Sequence, residues 1–505
     1  MGKKKIILVY PEFLLKDGPA FLVPMNLLHL GTYASSQGYE VRLIDCNNEP
    51  DYLDLIAEEA RDSLLVGITS MTAQLPTAVA VARHVKEALK GAGPIVFGGA
   101  HATLFPESLV EHPDIDFAAV GEGELTLVDL AAALSSGGAV SNVQGLAYLE
   151  SGVPKRRERT TKFNFSEMPH IRYDLLKADL VRQFPERSVS VLTSRGCPHR
   201  CTFCIDNIVK EYNKWRAWDA ERVADEIEYA QRTYGVRSIW FWDENFFVSK
   251  RRTREILAAV KKRNLKFEWS AEIRADYFRD SYIDYNLARE IREAGCIKLG
   301  LGAESGSQEI LDFLKKDMTV ENIVRSSTTC ASAGIEATYS FMIGLPEETP
   351  RDILGTVSLI RRLLAVSPRV KILGPQLFRP YPGGSLFDEC VKSGWKSPKN
   401  VEEWVEKIVR DSKEMDPFKS PWIQHPRLVN TVWFYSLLLC TSGWRLLLMY
   451  LEYARLYGKR LPMKIVGAVG IVVMSVLGKL RMRLNFHLFP IEVRLLRKYR
   501  ATLSS

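Results

Sequence analysis

Long apolar runs are scarce in this 505-residue chain. Ile465 to Gly478 stops at fourteen uncharged residues between Lys464 and Lys479, short of the ~20 that cross a bilayer as a helix. Trp433 to Leu451 is interrupted by Arg445. Cysteine is also sparse. Of eight, Cys46, Cys296, Cys330, Cys390 and Cys440 are scattered without paired spacing, which excludes a second cluster of thiols and reads as buried or incidental sulfur. No secretory signal is visible, so the chain is expected in a reducing cytosol. A recognisable nucleic-acid module is absent too, and nucleic acid is not an expected partner. An apolar content of 46% excludes disorder.

Three cysteines are grouped: Cys197, Cys201 and Cys204, in Arg195-Gly196-Cys197-Pro198-His199-Arg200-Cys201-Thr202-Phe203-Cys204. The β-branched alternation of Ser188 to Thr193 predicts a strand before them. Thiols on a loop leaving a strand end sit where parallel α/β sheets place their chemistry. Their softness selects zinc, copper(I) or an iron–sulfur cluster. Zinc would need a fourth ligand nearby, whereas three thiolates on a four-iron cluster leave one iron open.

Before this loop, residues 1–140 alternate strand and helix patterns. Strands are predicted at Ile6–Tyr10, Val41–Asp45, Leu64–Thr69, Pro94–Gly99 and Ile115–Val120, the pattern of a doubly wound parallel sheet. Small or polar residues follow three of them: Thr69-Ser70-Met71, Gly98-Gly99-Ala100-His101 and Gly121-Glu122-Gly123-Glu124. Residues 141–187 read as a hairpin and linker. The βα alternation restarts over 188–395 with six units. Polar residues recur at the predicted strand ends: Asp243 and Glu244, Arg274, Glu304 and Ser305, and Gln376.

The ordered motifs resemble the cobalamin-binding radical S-adenosylmethionine (SAM) enzymes, over about residues 5 to 395. The resemblance implies an α/β fold: a Rossmann-like cobalamin domain, a partial (β/α)6 barrel and a mainly helical C-terminal region over 396–505. It implies that Cys197, Cys201 and Cys204 hold a 4Fe–4S cluster. Phe203, Asp243, Glu244, Arg274, Glu304, Ser305 and Gln376 would meet SAM. Thr69, Ser70, Met71, Gly98, Gly99, His101, Gly121 and Glu122 would meet cobalamin. The family's cobalt-ligating Asp-x-His-x-x-Gly is missing after the first strand, where Tyr10 to Gly18 holds no histidine. Cobalamin, if bound, would then lack an imidazole from this loop.

The activity so implied is methylation of an unactivated carbon, driven by an external electron donor such as flavodoxin or ferredoxin. The same domain order serves anaerobic magnesium-protoporphyrin monomethyl ester cyclase, so a radical oxidative cyclisation is the alternative. A cobalamin or SAM sensor without turnover is a third. No motif names the substrate, a small molecule or lipid. From Arg427 onward thirteen Lys or Arg stand against two Glu, interleaved with Trp, Tyr and Leu. That pattern suits a helix lying in a membrane interface, with peripheral contact at the inner face of the membrane, or a helical cap on the barrel.

Overall fold

The computed structural model describes residues 4–13, 23–176, 188–209, 214–413, 416–440, 476, 477 and 480. Five parallel strands, β1 (Lys5–Tyr10), β2 (Glu40–Asp45), β3 (Leu65–Thr69), β4 (Ile95–Gly98) and β5 (Phe117–Ala119), run in the order 2-1-3-4-5. Ile6, Ile7, Leu8 and Val9 are all 1% exposed or less. A strand covered by helices on both faces needs such a continuous apolar run. The strand order reverses beside β1, so the C-terminal ends of β1 and β3 open a crevice. The hairpin β6 (Leu146–Glu150) and β7 (Val153–Arg157) pairs antiparallel onto β5. It therefore extends this sheet rather than standing apart as a bridge. The following segment leads to the second sheet: Tyr173 Oη donates to Ser190 O at 2.6 Å and Trp218 Nε1 to Phe165 O at 2.8 Å.

The second sheet begins with β8 (Ser188–Val191). A small antiparallel pair follows, β9 (Ser194–Arg195) and β10 (Arg216–Ala217). The sheet continues through β11 (Ser238–Phe241), β12 (Glu268–Ile273), β13 (Cys296–Glu304), β14 (Glu336–Ile343) and β15 (Val370–Leu377). All six main strands are parallel, each beside the next in chain order. β8 and β15 remain edges, so the barrel is partial. Burial alternates along β14. One face, including Val191, Phe241, Leu299, Tyr339 and Ile372, packs into the core with Ile227, Ile256, Ile323 and Ile360 of the surrounding helices. The other face is partly open.

Helix Ala220–Tyr234 is capped by Asp219, which accepts from Arg222 N at 2.8 Å. The described C-terminal residues form a cap. Trp422 Nε1 donates to Gly344 O at 2.9 Å, Val429 and Val432 are buried, and Trp404 sets its ring edge on His101. The membrane expectation rests on Ile465 to Gly478, which lies outside the described residues apart from Val476 and Leu477. Among the described residues no helix is long and apolar enough to cross a membrane.

Candidate functional site

Cys197, Cys201 and Cys204 lie on the loop after β8 and β9, none disulfide-bonded. Burial raises the Cys204 thiol to about 12, and Asp206 and the two neighbouring thiols add to the shift. Arg274, at the end of β12, donates from Nη1 to Cys201 Sγ at 3.7 Å, from Nε to Asp276 at 2.9 Å and from Nη2 to Lys316 O. Lys316 is itself buried, 3.1 Å from Glu304 Oε1, with its ammonium 5.7 Å from the centre of the Phe203 ring. Glu304 holds φ at +62°, a left-handed conformation that costs a non-glycine residue about 1–3 kcal/mol and clusters at functional sites. The structure therefore brings Cys201, Phe203, Arg274 and Glu304 together around Lys316.

Other expected residues are engaged elsewhere. Both carboxylate oxygens of Asp243 accept from Thr193 and Ser194, so this side chain staples the end of β8 beneath the cysteine loop. Glu244 is exposed at the mouth. Surrounding protein and then Asp206 push its carboxyl upward, but water reaches the group and limits the shift. Ser305 Oγ faces Thr356 Oγ1 at 3.1 Å and accepts from Ser307 N. Gln376 is exposed on β15.

On the first sheet, Thr69 Oγ1 accepts from Asn26 at 2.7 Å. A Cβ on Gly99, where φ is +92°, would lie 3.0 Å from Ser70 O; one on Gly98 would meet nothing within 4 Å. Gly98, whose carbonyl accepts from buried Ser70 N at 2.8 Å, thus leaves open floor, and Met71 next in the chain is 42% exposed. Gly121 N donates to Thr103 Oγ1 at 3.1 Å. Fully buried His101 sits 3.1 Å from Thr72 Oγ1, and its Nε2 has no partner. Burial lowers its pKa to about 4, so the ring is neutral.

Lys316, Arg195 and Tyr277 carry no distinguishing signal in the sequence. Lys316 alternates with exposed Lys315 and Asp317, and nothing in that run marks it as buried. Arg195 donates to Glu124 at 2.5 Å and to His29 Nδ1 at 3.2 Å, and lies 4.7 Å over the Phe165 ring. Glu122 is taken up by Arg216 and faces Arg195 at 3.5 Å. The rim of the first sheet is thereby tied to the cysteine loop. Tyr277 Oη lies 2.9 Å from both His199 Nε2 and Asn245 Nδ2, behind Cys197.

The residues present fit the expected groups. Among the described residues no three His, Cys, Asp or Glu are set for a single metal ion. Three free thiols on one loop, with a guanidinium on one sulfur, are the donor set of an iron–sulfur cluster. The bare Gly98 floor suits a bulky ligand laid against the strand ends.

Comparison with known proteins agrees. Residues 191–360 match the radical SAM superfamily and residues 15–131 the B12 binding domain. A Pyrococcus horikoshii protein named as an uncharacterized methyltransferase is 32% identical over 403 residues, covering 77% of this chain and 84% of its own. The anaerobic magnesium-protoporphyrin IX monomethyl ester cyclase of Rubrivivax gelatinosus is 26% identical, covering 76% and 70%. The radical SAM methyltransferase TsrM from Kitasatospora setae, solved with cobalamin and a [4Fe–4S] cluster, shares the fold. Its TM-score is 0.62 at 21% identity, over 77% of this chain and 78% of that one. The chain belongs to the cobalamin-binding radical SAM enzymes. Its cofactors are a 4Fe–4S cluster, SAM and cobalamin.

Proposed function

We propose that the protein transfers a methyl group to an unactivated carbon of a hydrophobic substrate. The observation that carries this reading is the joining of two sites: Arg195 of the cysteine loop pairs with Glu124 of the rim that borders Gly98 and Gly121. Cys197, Cys201 and Cys204 would hold the cluster. Arg274 and Glu304 would meet SAM, and the Thr69, Gly98 and Gly121 loops would hold cobalamin. When bound, these groups supply hydrogen abstraction and the methyl group. The chain's own part is positional. Arg274 fixes Cys201 against the Lys316 turn, Asp243 braces the loop from below, and the Trp404 and Trp422 cap limits water.

In balance, a substrate C–H bond breaks and a C–CH3 bond forms. Two SAM molecules are consumed, leaving S-adenosylhomocysteine, methionine and 5′-deoxyadenosine. An external one-electron donor of flavodoxin or ferredoxin type supplies the electrons. Anaerobic reduced protein with SAM and a lysate extract tests this. Methyl transfer yields S-adenosylhomocysteine and 5′-deoxyadenosine together. Cyclisation yields only the latter, and a sensor neither.

The basic, apolar C-terminal sequence supports peripheral attachment to an anionic bilayer, each basic residue adding up to about 1 kcal/mol. Salt-sensitive flotation with anionic liposomes is expected for the whole chain. Protein that stays at the bottom at low salt removes the membrane and lipid part of this reading.

A further inference from the structure

The face of the second sheet turned away from its helices is unlike a packed barrel interior. Trp240 lies on β11 and Trp242 just past its end, where Trp242 N still donates to Val191 O at 2.8 Å; two residues apart on extended chain, they stand on one side. The opposite side carries Ile239 and Phe241, which are buried in the core. Each tryptophan is 37% exposed, and the two rings lie 4.4 Å apart, tilted by 56°. Neither covers the other face to face, so about a third of each large apolar side chain is left uncovered in a concave sheet. The residues paired with Trp240 on either side are Ser190 and Ser270, too small to fill the space.

One strand over, the side-chain carboxylate of Glu272 on β12 accepts no hydrogen bond among the described residues, while its backbone carbonyl accepts from Phe246 N at 3.3 Å. Its carboxylate lies across β13 at Gly300, where a Cβ would come within 2.3–2.6 Å of the carboxylate atoms. Only glycine leaves that room. Beside Gly300, Thr338 carries a buried Oγ1 without a partner. Burial holds the Glu272 carboxyl above the ordinary range, with the charge of Lys298 opposing. Unpaired acceptors beside bare aromatic faces are the lining of a ligand site. Glu272 precedes Arg274 by two residues, about 7 Å of strand, which sets the site directly beneath the cysteine loop.

We propose that this open face is the substrate site, and that it takes a flat aromatic ring carrying an O–H or N–H donor, the ring on Trp240 and Trp242 and the donor on Glu272. The proposal rests on the methyl-transfer reading for its meaning but is tested without turnover. Three probes separate its parts: 2-naphthol has ring and donor, 2-methoxynaphthalene the ring alone, and 2-decalol the donor on a saturated frame. Calorimetry on the anaerobic holoenzyme should show 2-naphthol binding about tenfold or more tighter than either.

Trp240→Leu with Trp242→Leu should remove the advantage over 2-decalol. Glu272→Leu should remove the advantage over 2-methoxynaphthalene. Gly300→Ala, which keeps the carboxylate but displaces it, should do the same and guards against a folding artefact. Equal binding of all three probes, no binding of any, or unchanged preferences in the variants overturns the proposal. If the preferences hold while no S-adenosylhomocysteine forms, the substrate site stands and the methyl-transfer reading falls.

Discussion

The two parallel sheets solve burial in opposite ways. In the first, β3 is buried at every position and β1 at all but its first. Ligand space is left only at the strand ends, on the glycine loops. In the second, β14 alternates buried and half-buried along its whole length, and the side away from the helices is mostly small, polar or partly bare aromatic, with Met342 the exception on β14. A sheet packed on both faces is a platform; one packed on a single face encloses a room. Joined, they set a cofactor rim against a hollow.

The largest effect should come from the loop at the junction. Changing Cys197, Cys201 and Cys204 together to Ala should abolish iron binding and SAM cleavage, measured by iron content and 5′-deoxyadenosine, while cobalamin uptake by the first sheet persists. A variant that keeps its cluster spectrum would undo the assignment. Next is the tie between the sheets. Arg195→Ala strands Glu124, which is 3% exposed, and removing one partner of a buried pair costs about 3–5 kcal/mol. In chemical denaturation, the double variant with Glu124→Ala should lose less than the sum of the single losses.

The difference in packing can be read directly by truncation. Ile7→Ala, in a strand with no exposed side, should cost about 2–5 kcal/mol. Ser340→Ala, on the open face of β14, should stay within about 0.5 kcal/mol. Similar losses at both positions would mean that the second sheet is packed on both faces after all.

A further effect concerns pH. His101 is buried and neutral, with its pKa lowered to about 4, while the unfolded chain's histidine titrates near 6.5. Between those values the unfolded state binds more protons, so stability rises with pH through this window. It falls by about 2 kcal/mol on going from neutral pH to about pH 5. His101→Asn should flatten that slope in melts across pH 5 to 7. An unchanged slope would assign it to other groups.

Much of the fold was legible in the sequence because its signal is periodic. The continuous run Ile6 to Tyr10 and the alternation of Glu336 to Ile343 report two-sided and one-sided burial directly. Helices Tyr52–Ala60 and Lys250–Lys262 are harder to read; the second opens on Lys250-Arg251-Arg252, where charge hides the apolar stripe through Ile256 and Val260. The cysteine loop was legible as a motif. Lys316 and Arg195 were not, since a buried cation looks like any surface one until its carboxylate partner is placed by distant chain. Asp243 shows the converse: its position after β11 could be read, but not its capture by Thr193 and Ser194.

Methyl transfer itself is tested most directly by mass. Anaerobically reconstituted protein, reduced and given SAM with an isotopically labelled methyl group, should convert one component of a lysate extract into a product heavier by a methylene, about 14 Da before the label is counted. The label should reside in the new carbon–methyl bond. A product that gains oxygen or loses hydrogen, and carries no label, would contradict the account and leave the cyclase chemistry in its place.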